Sequence, residues 1–275
     1  MNQENINIFI NSCLQQINSK VPKNSRYKTV YSDEYYLKHI VNVLYNVTSW
    51  HALHRVYNFS PKNHFKTIYN KFRYWSNLGI FKNTFLNSIG HVTTNCLIID
   101  ATSINNKEGI QNIGINLEQK KHNCTKLSAI CTKDKKILSV VACNNNKFFK
   151  KRKTIDHELK VIKQHMDNIK DIKYLHNNSK YFRLIGDKGY ITKDKHSINN
   201  KNVHIITKFR INSKIKQTAF NEKIINNNRY KIENLFAVIK SFDRINLRKD
   251  KNIKMYCSFF YIVCNLHNII IDNSN

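Results

Sequence analysis

Hydrophobic residues in positions 1–90 recur every three or four residues, which is the spacing of amphipathic helices. The clearest runs cover the segments 6–17, 37–45 and 65–75. Because helices of this kind bury one face and expose the other, neighbouring helices can share a common core. The pattern predicts an all-helical amino-terminal domain over residues 1–90.

The third run separates its hydrophobic and basic residues onto opposite faces. One face carries Phe65, Ile68, Phe72 and Trp75, and the other carries Lys62, Lys66, Lys71 and Arg73. Ser60 is a candidate N-cap, Pro61 suits the first helical position, and Gly79 can end the helix. A short apolar segment at 50–56 precedes it, an order compatible with a helix-turn-helix module that binds DNA. An ordinary surface helix with a solvated polar face explains the same pattern, so both interpretations stay open.

From about residue 95 the hydrophobic residues cluster in short segments that are typical of strands, and the segment 96–99 is continuously apolar. The segments are 96–99, 126–131, 137–143, 181–185 and 203–206, with a hairpin turn predicted at 133–136. Helical spacing returns over 154–172, 229–245 and 254–271. This order predicts a mixed α/β sheet covered by helices, in a second domain over residues 91–275.

The charge of the chain is strongly positive. Its 275 residues include 46 lysines and arginines against 18 aspartates and glutamates, a formal net charge of +28. With 41% hydrophobic residues the chain can fold, so a structured surface carries the charge. This combination favours a polyanionic partner, and nucleic acid is a stronger candidate than anionic lipid.

The cysteines and the hydrophobic runs bear on the cellular compartment. The seven cysteines are odd in number and form no CxxC pair, which argues against a disulfide framework and a zinc cluster. We find no signal peptide pattern, and polar residues interrupt the most apolar segment, 255–271. We therefore expect an intracellular protein that is not secreted and has no membrane partner, cytoplasmic or nucleoid-associated if the host is bacterial.

Three carboxylates are candidates for a catalytic site. Asp100 and Asp187 each close a hydrophobic strand run, and Glu233 lies on a predicted helix in one stripe with Arg229 and Lys240. An intrahelical salt bridge between Arg229 and Glu233 explains that pair by itself. Three separated carboxylates in a basic protein also fit phosphoryl transfer by two Mg²⁺ ions, which take carboxylate, water and phosphate oxygens as ligands.

The segments around these carboxylates resemble known sequences. Residues 98–103 (IIDATS), 184–190 (LIGDKGY) and 228–240 (NRYKIENLFAVIK) resemble the three signature blocks of DDE transposases from bacterial insertion sequences. The similarity is greatest to the insertion-sequence-five type, within the five/four group. Weaker similarity extends to the segments 49–53, 73–79, 125–127 and 244–248, so that the resemblance covers about residues 35–270.

The resemblance implies a ribonuclease-H-like catalytic core with Asp100, Asp187 and Glu233 as catalytic metal ligands. The implied cofactor is Mg²⁺, for which Mn²⁺ can substitute. Such an enzyme cleaves phosphodiesters at transposon ends and transfers the 3′-hydroxyl strand to target DNA, as a homodimer on double-stranded DNA. From the resemblance and the basic helix together, the expected DNA-binding residues are Arg229, Lys240, Lys126, Lys188, Lys62, Lys66 and Arg73.

Two other functions stay open at this point. One is a degenerate or domesticated transposase copy that only binds DNA, and the other is a helix-turn-helix regulator with an unrelated carboxyl-terminal domain. The chain departs from the family at Asn226, where a tyrosine is usual, and at Cys124, where a glycine is usual. The three carboxylates are nevertheless intact, which favours an active enzyme.

Overall fold

The structure of the protein, a computed structural model, divides the chain into two compact units. It describes residues 2–22, 30–46, 49–59, 64–110, 114–116, 121–144, 156–170, 172, 175–176, 178–190, 196–198, 200–208 and 218–274. The first unit consists of Met1–Ser88, Asn106–Gln111 and Ile239–Asn275, and the second of Ile89–Asn105 and Asn112–Val238.

The amino-terminal part of the chain is helical, as its periodicity predicts. The helices are α1 (Gln3–Lys20), α2 (Asp33–Asn46), α3 (Ala52–Tyr57), α4 (His64–Asn77) and α5 (Ile80–Asn87). Gly79 has φ +73° and separates α4 from α5, a backbone conformation that glycine adopts without strain. The proposed capping residues Ser60 and Pro61 lie outside the described residues.

The rest of the chain alternates between strands and helices. In chain order the elements are β1 (Val92–Thr93), β2 (Cys96–Asn106), β3 (Gly114–Asn116), β4 (Lys121–Thr132), β5 (Ile137–Asn144), α6 (Asp156–Ile169), β6 (Leu175–His176), β7 (Tyr181–Gly186), a 3₁₀ turn (Lys188–Tyr190), β8 (His196–Ile198), β9 (Lys201–Thr207), α7 (Ala219–Lys240), α8 (Asp243–Asn246), β10 (Leu247–Arg248) and α9 (Ile253–Asn273).

The main sheet is mixed, which confirms the predicted fold class. Its strands follow the order β3-β4-β2-β7-β9-β8, and β5 also pairs with β4. The pairs β2–β4 and β4–β5 are antiparallel, whereas β2–β7 and β7–β9 are parallel. The predicted hairpin between β4 and β5 is also present, with Lys135 at φ +66° and the Thr132 amide donating to the Lys136 carbonyl at 2.9 Å.

Helix α7 packs against the middle of this sheet. Ile225 of α7 is fully buried and forms a cluster with Cys96 of β2 and Ile185 of β7, and Ile206 of β9 packs against the same cluster. The contact comes from the first half of α7. It therefore anchors α7 beside the two central parallel strands.

The boundaries of β2 and α7, the elements that carry Asp100 and Glu233, differ from the sequence prediction. Asp100 does not end its strand, because the antiparallel pairing of β2 with β4 continues as far as Asn105 opposite Cys124. Only the continuous buried run of β2, residues 96–99, ends before Asp100. Helix α7 begins at Ala219, earlier than the predicted 229, since the polar run NNN at 226–228 is accommodated inside the helix.

The last helix groups with the amino-terminal helices, whereas the sequence placed residues 91–275 in one domain. Helix α9 packs against α1, α4 and α5. Phe259 stacks on Phe72 of α4 at 4.6 Å between ring centroids, and Tyr261 stacks on Phe85 of α5 at 5.7 Å. Hydrophobic periodicity shows that a helix face is buried, but it does not show which elements cover it.

Within the described residues, none of the helices combines the length and hydrophobicity needed to cross a lipid bilayer.

A buried ion pair lies just before α9. The Arg244 guanidinium donates to both carboxylate oxygens of Asp250, at 2.7 and 3.1 Å. Arg248 is fully buried and donates to the backbone carbonyls of Asp250 and Lys251. The basic segment 244–248, which resembles the transposase family in sequence, thus places two of its arginines inside the fold.

Candidate active site

Strand pairing brings two of the predicted carboxylates to the same place. Strands β2 and β7 are parallel neighbours, and Ile98 is in register with Ile185. Asp100 and Asp187 each follow two residues later, so both lie at the same edge, where the β2–β7 pairing ends. Glu233 lies on α7, about two turns beyond the part of the helix that packs on these strands.

The side chain of Arg229 contacts all three carboxylates. Its Nη2 atom lies 3.9 Å from Asp100 Oδ2 and 3.7 Å from Glu233 Oε1, and its Nη1 atom lies 3.6 Å from Asp187 Oδ1. The intrahelical pair of Arg229 with Glu233, expected from their spacing, is therefore only part of the arrangement. Three carboxylates from β2, from the end of β7 and from α7 surround one guanidinium.

The site opens to water on one side. The Asp100 side chain is 19% exposed, whereas those of Asp187 and Glu233 are 44% and 58% exposed. Burial raises the pKa of Asp100, and the charges of Asp187 and Glu233 add to this rise. The Ala101 amide, which donates to Asp100 Oδ1 at 2.8 Å, and the Arg229 guanidinium lower the pKa. A cation beside Asp100 thus favours its charged form.

The carboxylates do not enclose a metal site by themselves. Across the ranges that the structure describes, no three Asp, Glu, His or Cys side chains stand close enough together to hold one metal ion. What joins Asp100, Asp187 and Glu233 is the Arg229 guanidinium, which supplies the positive charge at their centre.

A buried histidine supports the backbone of Asp100. Ser128 Oγ donates to the Asp100 carbonyl at 3.0 Å and lies 2.9 Å from His165 Nε2, while His165 Nδ1 lies 2.8 Å from Ser139 Oγ. Ser128 donates its hydroxyl hydrogen to the Asp100 carbonyl and can only accept from His165. His165 Nε2 therefore donates to Ser128 Oγ, and His165 Nδ1 accepts from Ser139 Oγ. This network ties α6 to β4 and β5, directly behind Asp100.

The sequence offers one signal for the buried position of His165. Position 165 falls three residues after Ile162 and one before Met166, on the buried face of α6. That periodicity was the available signal for a buried role. Its hydrogen bonds to strand serines could not be found from spacing alone.

The burial of His165 predicts a loss of stability in acid. Burial lowers the pKa of His165 from 6.5 to about 3, so the folded protein cannot take up the proton that the unfolded chain accepts. Stability from this group is complete above pH 6.5 and falls below it, by up to roughly 1.4 kcal/mol per pH unit. We expect His165→Gln to show a shallower decline than wild type in urea unfolding between about pH 7 and 5. Equal slopes would contradict this prediction.

The predicted DNA-binding residues of the amino-terminal cluster are partly described. Lys66 and Arg73 are exposed on α4, opposite its buried aromatic face. Lys71 lies on the same helix but is only 16% exposed, because it pairs with Asp33 at 3.0 Å. Lys62 lies outside the described residues. Two cations of this cluster are therefore presented to solvent.

The predicted DNA-binding residues of the second cluster lie on several elements. Lys126 is half-buried on β4, and Lys240 is the last residue of α7 and also half-buried. Lys188 belongs to the 3₁₀ turn that follows Asp187, but its side chain is outside the described part of the structure. A DNA contact at each of these positions stays a prediction.

Comparisons with known proteins bear on the identity of the chain. Residues 147–253 match a sequence family described as Transposase DDE domain. This segment includes Asp187, Arg229 and Glu233, whereas Asp100 lies before it. The fold is similar to that in a cryo-EM structure of the piggyBac transposase synaptic complex with hairpin DNA, with a TM-score of 0.56 and 9% identity over 97% of this chain and 72% of that chain. The comparison with curated proteins found no match.

These findings bear on one of the functions that the sequence left open. A carboxyl-terminal region that matches a DDE domain contradicts the helix-turn-helix regulator with an unrelated carboxyl-terminal domain. The mixed sheet covered by helices, after a helical amino-terminal region, is similar to a transposase catalytic fold. The narrower assignment to a bacterial insertion-sequence type stays a prediction. The match of residues 147–253 to a transposase DDE domain, together with the shared fold, supports a DDE transposase, an enzyme of the metal-dependent polynucleotidyl transferase type.

Proposed function

We propose that Asp100, Asp187 and Glu233 hold the divalent metal ions with which this transposase cleaves DNA at transposon ends and transfers the 3′-hydroxyl strand to target DNA. One observation carries the proposal. Carboxylates from three separate elements, far apart in sequence, lie within 3.9 Å of the same guanidinium. Such a concentration of negative charge around one cation indicates a site built for positive charge.

The donor atoms suit Mg²⁺, with Mn²⁺ as a substitute. Mg²⁺ prefers carboxylate oxygens and retains water and phosphate oxygens as its other ligands. Asp187 and Glu233 are open to solvent, so a DNA phosphate and water can approach them, while Asp100 is held firmly on β2. When bound, a pair of such ions would activate the attacking oxygen and stabilise the leaving oxygen.

The protein side chains position the reacting groups. The Ala101 amide and the Ser128 hydroxyl fix Asp100, the first on its carboxylate and the second on its carbonyl. Arg229 and Lys240 share one stripe of α7 with Glu233, and both can bind phosphates of the strand to be cut. These cations bring the scissile strand to the carboxylates.

The remaining cations hold the DNA. Lys66 and Arg73 expose two charges on an amphipathic helix, which suits recognition of the transposon ends. For Lys126 and Lys188 we propose phosphate contacts on the basis of the family resemblance, and for Lys62 on the basis of the basic run that it shares with Lys66 and Arg73 in the sequence. Joining two transposon ends requires both to be held at once, so we propose a homodimer on double-stranded DNA, acting at the nucleoid if the host is bacterial.

The test is metal-dependent cleavage of the DNA that flanks the gene. Labelled duplexes from either side of the gene should be cut by the protein with Mg²⁺ or Mn²⁺ and left intact with EDTA. Random duplexes of equal length serve as the control for end recognition. Binding to the flanking duplexes without cleavage under any of these conditions would replace the proposal by the alternative, a transposase copy that only binds DNA.

A further inference from the structure

The arrangement of Arg229 poses a problem for metal binding. Its guanidinium is placed between the three carboxylates to which we assign the metal ions, at 3.6–3.9 Å from each. A metal ion bound by all three carboxylates would take the place of the guanidinium, whose positive charge also repels a metal ion so close to it. Binding of metal to Asp100, Asp187 and Glu233 therefore requires the Arg229 side chain to move away.

The contacts of Arg229 are those of a side chain that can move. All three distances exceed the 2.7–2.9 Å that is usual for charge-assisted hydrogen bonds between arginine and carboxylate. Arg244 provides a comparison in the same chain, since it donates to both oxygens of Asp250 at 2.7 and 3.1 Å and is buried. Arg229 is 28% exposed and is held by charge rather than by a fixed hydrogen-bonded fork.

We propose that Arg229 is an exchangeable counterion, which neutralises the three carboxylates until metal binds and then turns to a DNA phosphate. The inference rests on the proposed function, because it takes the same carboxylates as metal ligands. A phosphate is a natural second partner for the guanidinium, with the same bidentate geometry as a carboxylate. Metal and DNA thus each favour the binding of the other, since both draw Arg229 out of the carboxylate cluster.

This exchange controls when metal ions bind to the three carboxylates. Free protein keeps its carboxylates paired with Arg229 and binds metal weakly. DNA that reaches the site offers phosphates to Arg229, and the released carboxylates become available to metal. Strand cleavage is then confined to protein that already holds DNA.

The experiment is a titration of DNA-free protein with Mn²⁺, in which free Mn²⁺ is followed by electron paramagnetic resonance. We expect Arg229→Gln to bind Mn²⁺ more tightly than wild type, by about five- to 150-fold, the usual range for coupling between sites. Arg229→Lys keeps the charge and should remain close to wild type. Lys223→Gln removes one exposed charge from the same helix and is the matched control, with unchanged affinity expected.

The outcomes separate this inference from the proposed function. If Arg229→Gln binds Mn²⁺ with wild-type or lower affinity, while Asp187→Asn weakens binding, the carboxylates bind metal but Arg229 is not their counterion. If Asp187→Asn binds Mn²⁺ as well as wild type, the assignment of the metal site itself is wrong. A gain in Lys223→Gln equal to that in Arg229→Gln would show a general charge effect and would also overturn the inference.

Discussion

Asp187→Asn is expected to abolish DNA strand cleavage while DNA binding stays nearly unchanged. The amide has almost the same shape as the carboxylate but lacks the negative charge that a divalent cation requires. Metal ions supply several kcal/mol of transition-state stabilisation, so we expect the cleavage rate to fall by roughly a thousandfold or more. Because Asp187 is half exposed and directly follows β7, the substitution should leave the fold intact.

The measurement is cleavage of labelled duplexes in Mg²⁺ and in Mn²⁺, with binding to the same duplexes followed by fluorescence anisotropy. Asp167→Asn is the matched control, since Asp167 is an exposed aspartate of the same unit and pairs only with its helical neighbour Lys170 among the described residues. Equal cleavage by Asp187→Asn and Asp167→Asn would remove Asp187 from the catalytic site.

DNA affinity is expected to collapse as salt concentration rises. A protein that neutralises Z phosphates of a duplex releases counterions, so the logarithm of the binding constant falls with that of salt at about −0.9Z. The chain carries a net charge of +28, which supports many such contacts. With six to ten of them, the affinity should fall by about 10³–10⁵ between about 50 and 200 mM salt.

Substitutions on α4 test whether this helix contributes to the salt dependence of DNA binding. We expect Lys66→Gln with Arg73→Gln to weaken binding to the flanking duplexes and to reduce the slope against salt by about one unit for each phosphate that is no longer neutralised. If these side chains contact base edges, the preference for flanking over random duplexes should fall instead. Lys20→Gln with Lys82→Gln removes two exposed charges from other helices and is the matched control. A flat salt response, or equal effects of the two double variants, would contradict this account.

The sequence predicted the elements of the catalytic unit because strand and helix patterns are local. The segment 96–99 has the continuous hydrophobicity of a central strand, 181–185 is mostly hydrophobic, and Asp187 follows its strand as predicted. Asp100 does not end its strand as predicted, because the length of a strand depends on the strand that pairs with it. The antiparallel neighbour β4 extends β2 past the hydrophobic run, and that neighbour is not visible in the local pattern of β2.

The roles of individual arginines were harder to predict than the elements. Arg229 and Arg244 each have an acidic residue within six positions that they contact, Glu233 and Asp250. Arg244 is nevertheless buried in a hydrogen-bonded pair, whereas Arg229 bridges three carboxylates at the surface. Spacing along α7 predicts the contact of Arg229 with Glu233. The contacts with Asp100 and Asp187 arise from the packing of α7 on the sheet, which is a tertiary feature.

The most direct test of the central claim is the position of bound metal. Crystals of the protein with flanking DNA and Mn²⁺, measured at the manganese absorption edge, would show that position by anomalous scattering. The account predicts Mn²⁺ bound by the carboxylates of Asp100, Asp187 and Glu233, with the Arg229 guanidinium moved away from them. Mn²⁺ bound elsewhere on the protein–DNA complex, with Arg229 still between the three carboxylates, would contradict it.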